Sequence, residues 1–222
     1  MARLLIPKAR EIQQRFASRV KEEDDFTLPP QLVCGLDVSY VGETAIGVAV
    51  LLRYKDMKKI DQAVVSCRVV IPYIPTYLSF REYPPLSLAF SSLKRAPDVC
   101  FVDAHGRSHP RRFGAACHFG VLRNVPTIGI AKRILCGKTQ SSSQLSSSII
   151  HKGEVVGAEI TTKTRTNPIF VSVGHRITLE TAINLTRHCI TNYRLPEPTR
   201  QAHQLATEYR RELKSKDVEV GS

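Results

Sequence analysis

Two carboxylates stand where carboxylates are costly. Asp37 interrupts the apolar run LVCGLDVSY (32–40), and Asp103 closes the run VCFV in DVCFVDA (98–104). An ionised carboxylate among buried strand residues is expensive unless something positive sits beside it. If the two strands are neighbours in a sheet, both acids can meet around one Mg²⁺. That ion takes one or two carboxylates, several waters and a phosphate oxygen. Such a site serves phosphodiester hydrolysis, where the metal polarises the phosphoryl oxygen and helps to generate hydroxide. The alternative is that Asp37 and Asp103 cap turns or pair with arginine, and spacing alone does not separate the two.

Other residues near strand ends carry a chemical and a plain reading side by side. Glu82, in SFREYP, is either a third acid or a solvated charge at a helix start, which favours negative charge. His109 lies six residues past Asp103, and His175 follows the apolar run of VSVGHR; each is a site residue or a surface histidine. Lys132 ends TIGIAK and either meets a phosphate as a point charge or faces water. In PYIPTY (72–77), Pro72 and Pro75 stiffen a loop presenting Tyr73 and Ile74. A rigid apolar tip suits a wedge between base pairs, although a proline-bounded turn explains it too. His105, His109, Arg111 and Arg112 surround Asp103 in sequence and are expected to face phosphates.

These residues need a scaffold. Ile12, Phe16 and Val20 recur at helical spacing, predicting a helix over 8–24. Segments 32–40, 44–54 and 62–73 read as strands with short connections, hence an antiparallel meander. The stretch 78–95 is helical in pattern. Its Pro84 and Pro85 are best tolerated in a first turn, so the regular helix is expected to begin near Pro84. Strand and helix then alternate: 98–104, 111–124 and 126–135. That predicts parallel pairing. TQSSSQLSSS is expected to be a mobile Ser-rich loop over 139–148. EVVGAEITT and PIFVSVG are further strands, 178–193 is a helix with Thr178 as N-cap, and 197–213 is the last helix. A tail over 214–222 is expected to be disordered. The expectation is one α/β domain over 1–222, a mixed sheet with antiparallel and parallel parts and helices on both faces.

The chain has 222 residues and 42% hydrophobic content, enough for a core. Lys and Arg number 32 against 20 Asp and Glu, a net charge of +12, which favours polyanionic partners through counterion release. No 18-residue apolar run exists, which argues against a membrane span, and MARLLIPKAREIQQRF lacks the pattern of a signal peptide. The six cysteines are scattered with no CxxC pair and read as free thiols, so the expected location is the cytoplasm.

GLDVSY, PYIPxxLSFRE, VDAHGRSHPRRFGAACHFGVL, PTIGIAK, PIFVSVGHR and RLPEPTRQAH occur in one order. Together they resemble endonuclease V, the inosine-directed nuclease family with a ribonuclease H-like core, over about residues 8–210. The resemblance implies Asp37 and Asp103 as metal-binding aspartates, Glu82 as a third acid, His175 beside the scissile phosphate and Lys132 on that phosphate. It implies Tyr73, with Pro72 and Ile74, as the strand-separating wedge, and His109 as a DNA-binding or supporting residue. Thr76, Ala104, Gly129 and Leu135 become the rim of a pocket for an extruded base. It further implies a Mg²⁺-dependent enzyme (Mn²⁺ substituting) acting on deoxyinosine-containing DNA; a monomer is the default expectation. The cut falls at the second phosphodiester bond 3′ to the lesion and leaves a 5′-phosphate. Two positions depart from the family pattern: Thr76 and Ala104 stand where many members have glycine. An inosine-specific endoribonuclease and a silent nucleic-acid binder are the competing readings.

Overall fold

The apolar run at 32–36 can only be a strand covered on both faces, and its alternation decides what each face meets. In the computed structural model, which describes residues 2–141, 146–163 and 166–220, it forms β1 (Leu32–Val41). Two neighbours complete the meander, β2 (Thr44–Arg53) and β3 (Lys59–Arg68), both antiparallel. Two further strands, β4 (Val99–Val102) and β5 (Thr127–Ala131), extend the sheet in parallel from the other side of β1. The remaining strands are β6 (Lys138–Ser141), β7 (Ser146–His151), β8 (Glu154–Ile160) and β9 (Ile169–His175). The sheet order is β3-β2-β1-β4-β5-β9-β8-β7-β6. The fold class is the mixed, ribonuclease H-like sheet read from the sequence.

Helices cover both faces. On one, α2 (Leu78–Ser91) and α3 (Ala115–Arg123) bury Leu86, Ala89, Ala116 and Phe119 against Cys34, Leu36, Leu51 and Val102. On the other, α4 (Leu179–His188) and α5 (Glu197–Val220) bury Ala182, Leu185, Ala202 and Ala206 against Val33, Val50, Phe101 and Val171. Thr178 caps α4 by accepting from the Thr181 N–H, as its residue type predicted. No helix among the described residues is long and apolar enough to cross a membrane.

Five expectations change. First, α1 spans Ala2–Ala17 rather than 8–24. Val20 still packs against the core, but from an irregular segment, and Asp24 and Asp25 beyond it bond Thr178 and Arg176. Second, α2 begins at Leu78 with Pro84 and Pro85 inside it. Each proline removes an intrahelical hydrogen bond. The loss is offset by burying Pro85 and Leu86 on β2, where Gly47 admits the helix backbone: a Cβ there would lie 2.2 Å from the Pro85 carbonyl oxygen. Third, parallel pairing stops at β5. The chain reaches β9 through consecutive hairpin strands without a helical crossover, so β5–β9, β8–β9, β7–β8 and β6–β7 are all antiparallel. Fourth, the Ser-rich loop is largely a hairpin. Residues 139–141 and 146–148 lie in β6 and β7, held by Ile149, which is buried with Val156 and Phe170; 142–145 lie outside the described residues. Fifth, the tail expected from 214 continues α5 as helix to Val220; 221–222 lie outside the described residues.

Candidate functional site

Strand period and register together place the two aspartates side by side. On β1, Val33, Gly35, Asp37 and Ser39 share the face that meets α5. Ser39 Oγ donates to the Ala206 carbonyl at 2.8 Å. A Cβ on Gly35 would lie only 1.8 Å from the Pro198 carbonyl oxygen. On β4 the register pairs Gly35 with Phe101 and Leu36 with Val102, and the Asp103 N–H donates to the Leu36 carbonyl at 3.0 Å. The next pair is therefore Asp37 and Asp103, at the carboxyl ends of adjacent parallel strands and on one face.

Both carboxylates are nearly covered, with side chains 11% and 10% exposed. Lys132, which follows β5, places Nζ 2.6 Å from Asp103 Oδ2. From α5, His203 Nδ1 lies 2.8 Å from Asp37 Oδ2 and 3.6 Å from Asp103 Oδ2. One ligand atom from each of Asp37, Asp103 and His203 falls within 4.8 Å of the others, a spacing one metal ion can span. Burial and repulsion from Asp37 raise the Asp103 carboxyl, and Lys132 and His203 pull it back. Glu82, on α2, is pushed well above the glutamate range, first by burial and then by Asp37 and Asp103. Three acids thus gather at one end of the sheet, and each disfavours ionisation of the others, an oxygen-donor set that suits a hard divalent cation.

Next to the cluster, the residue after Asp103 opens a cavity of about 120 Å³. Tyr73, Thr76, Ala104, His109 and Leu135 all line it. Tyr73 stands 65% exposed at its edge, and Pro72 is exposed beside it. Ile74 instead lines a separate apolar groove with Ile12 and Phe80. Gly129 lies behind the cavity wall, where a Cβ would strike Gly106 N at 2.5 Å and Ala104 O at 2.7 Å.

His175 is not part of this assembly, which corrects the expectation for it. It pairs with Thr127, the first residue of β5, whereas Lys132 follows the last. That separation is roughly 16 Å at about 3.3 Å per strand residue. Its Nδ1 accepts the Lys21 N–H at 3.2 Å. The sequence reading left His203 without a role. The available signal was the small buried pair Ala202 and Ala206, which marks a helix face pressed onto the sheet with His203 at its margin.

The cations after Asp103 also turn inward rather than toward a ligand. Arg111 bonds Gln13 and Thr76, and Arg112 bonds Glu154 and His151. His109 uses both ring nitrogens internally. Nδ1 accepts the Arg111 N–H at 3.2 Å, so Nε2 carries the hydrogen and donates to Thr76 O at 3.0 Å.

Burial holds four histidines, His105, His109, His118 and His175, down to about 4. His118 is stacked on Tyr83 at 5.3 Å. In the unfolded chain each titrates near 6.5, so between those values the unfolded state binds more protons and stability rises with pH. Thermal melts are expected to fall steeply from pH 6.5 to 4, and His118→Phe should flatten that slope. A melting temperature constant over this interval contradicts the buried neutral assignments.

A ribonuclease H-like sheet carrying a carboxylate cluster at the carboxyl ends of its parallel strands, in a strongly basic chain, belongs to a class of nucleic-acid nucleases. The sequence profile of the Endonuclease V family matches residues 14–204. An endonuclease V of Roseiflexus castenholzii is 42% identical over 206 residues, covering 91% of this chain and 92% of that protein. The crystal structure of an endonuclease V from Streptomyces avermitilis superposes with a TM-score of 0.87 at 32% identity, covering 94% of each chain. One from Ciona intestinalis, in complex with a 23mer DNA containing an inosine followed by a ribo-adenosine, gives 0.88 at 29% identity, covering 96% of this chain and all of that one. The chain belongs to the endonuclease V family.

Proposed function

We propose that this protein is a Mg²⁺-dependent endonuclease that recognises deoxyinosine in DNA and cuts at the second phosphodiester bond 3′ to it, in DNA repair. The observation that carries this reading is the same-face pairing of Asp37 and Asp103 with Lys132 and His203, beside a cavity edged by Tyr73. The Ciona relative's inosine-containing ligand supports the substrate class. Asp37 and Asp103 would hold the cation, with Glu82 as a third acid of the cluster and Mn²⁺ able to replace Mg²⁺. When bound it supplies charge on the phosphoryl oxygen and acidifies water.

The side chains divide the remaining work. Lys132 offers a compact positive charge to the phosphate. His203 keeps its hydrogen on Nδ1, toward Asp37, which leaves Nε2 to accept a proton from the attacking water. An imidazole nitrogen is a poor Mg²⁺ ligand, which favours this role over coordination. His203→Ala is expected to lower kcat by about 10²-fold or more, the usual yield of a general base. Single-turnover cleavage checks this; an unchanged rate removes His203 from the chemistry.

Tyr73 separates the strands by stacking on a base. Tyr73→Ala is expected to weaken selection of inosine over normal bases by roughly tenfold, since one stacked base is worth about 1–3 kcal/mol. Equal loss on inosine-containing and plain duplexes contradicts a wedge. All site residues come from one chain, so a monomer suffices, and six free cysteines fit a cytoplasmic location.

A second reading, an inosine-directed endoribonuclease, is favoured by the ribo-adenosine that follows inosine in the Ciona complex. Matched inosine-containing DNA and RNA strands, cut side by side, decide between them. Preference for RNA replaces the repair role with an RNA-directed one, and a protein that shifts both strands in a gel while cutting neither is a silent binder.

A further inference from the structure

Thr76 holds a backbone conformation its own side chain disfavours. Its φ is +67°, left-handed territory in which a β-branched residue is an outlier. Such residues persist where neighbours over-determine them, and they gather at ligand sites. Three donors converge on the Thr76 carbonyl: Gln13 Nε2 at 3.0 Å, His109 Nε2 at 3.0 Å and Arg111 Nη2 at 2.9 Å. Arg111 Nη2 also reaches Thr76 Oγ1 at 2.6 Å, while its Nε donates to Gln13 Oε1 at 2.6 Å. Gln13 is fully buried, so the clamp belongs to the interior.

The direction of one of these bonds has a chemical consequence. A guanidinium only donates. Thr76 Oγ1 is therefore the acceptor from Arg111, and its own hydrogen goes to no acceptor among the described residues. Thr76 lines the cavity beside Asp103. A second hydroxyl lies on the same wall: Ser79, 4% exposed, has an Oγ without a hydrogen-bond partner. A buried hydroxyl left unpaired is destabilising unless a bound group satisfies it. The wall thus offers side-chain hydrogen bonds, with Arg111 holding one hydroxyl in the donor sense.

We propose that Thr76 is a specificity-determining residue whose hydroxyl donates to the keto oxygen of an extruded 6-oxopurine, with Ser79 Oγ taking a second polar atom of that base. This rests on the cavity being the base pocket. Adenine places an amino group where the keto oxygen would be and meets a donor with a donor. A site built to bond a polar group rejects the analogue lacking it far more strongly than an apolar pocket rejects a change of shape.

The test measures single-turnover kcat/KM on duplexes carrying either inosine or the same purine nucleoside without its 6-oxygen. The intact protein is expected to favour inosine by about tenfold or more, the worth of one such hydrogen bond. Thr76→Val keeps the branched shape and removes the donor; it should lower cleavage of inosine by about tenfold more than cleavage of the unsubstituted purine, so the ratio collapses. Thr76→Ser should keep the ratio. A ratio unchanged in Thr76→Val overturns the proposal, as does equal loss on both bases. An intact protein that cuts both bases equally overturns this proposal alone; one that cuts neither overturns the base-pocket reading as well.

Discussion

Asp37→Asn or Asp103→Asn is expected to slow strand cleavage by about 10³-fold or more, since a metal ion supplies several kcal/mol of charge stabilisation and each 1.36 kcal/mol is tenfold. The loss should be confined to chemistry. Each aspartate is nearly covered and lies against another carboxylate, while Glu82 is pushed upward by both. Converting one to an amide of the same shape removes repulsion from a poorly solvated cluster. In Asp103→Asn the 2.6 Å pair with Lys132 is given up, but Lys132 is 35% exposed and can be solvated. Melting of the cation-free protein should therefore stay level or rise, and the added stability conferred by Mg²⁺ should disappear. Paired melts with and without Mg²⁺, alongside cleavage of an inosine-containing duplex, check both halves. A variant that melts normally and cuts at the original rate contradicts the two-aspartate site.

Gly35→Ala is expected to be the most damaging single methyl addition in the chain. The new Cβ would sit 1.8 Å from the Pro198 carbonyl oxygen and 2.2 Å from the carbonyl carbon, both backbone atoms with no rotamer to escape into. Helix α5 must move off β1. Overpacking of this kind costs about 3 kcal/mol or more, and at roughly 2–4 °C per kcal/mol for a chain of this size the melting temperature should drop by about 10 °C. The same displacement lifts His203 from Asp37, because α5 lies along β1 from Pro198 at Gly35 to Ala206 at Ser39. Activity measured well below the new melting temperature should fall too. A variant that melts like the parent shows that α5 does not press on β1 at this point.

How much was legible in the sequence follows from how local each signal is. Asp37 and Asp103 were found because strand alternation is a two-residue pattern and an acid inside it stands out. Glu82 and Lys132 came with their motifs. His203 was passed over for His175, since both follow plausible patterns and only tertiary topology tells which end of the sheet each occupies. His175 lies at the start of β5 because β9 runs antiparallel to it, a direction the strand sequences do not encode. The early start of α2 was missed for a similar reason: burial against Gly47 outweighs the local preference of Pro84 and Pro85. The serines of β6 and β7 read as loop because their composition is polar, yet one buried residue, Ile149, anchors the hairpin. Thr76 was flagged only as a pocket-rim residue that departs from glycine, and the clamp that makes it strained joins residues 13, 109 and 111, far apart in the chain.

The most direct measurement is cleavage of a 5′-labelled duplex containing one inosine, resolved at single-nucleotide length with Mg²⁺ and with a chelator. The predicted result is one product, ending a nucleotide beyond the inosine on its 3′ side and absent when the cation is removed. Cutting that ignores the inosine, or that proceeds undiminished with the chelator present, would contradict a cation-bearing aspartate pair beside a base-reading cavity.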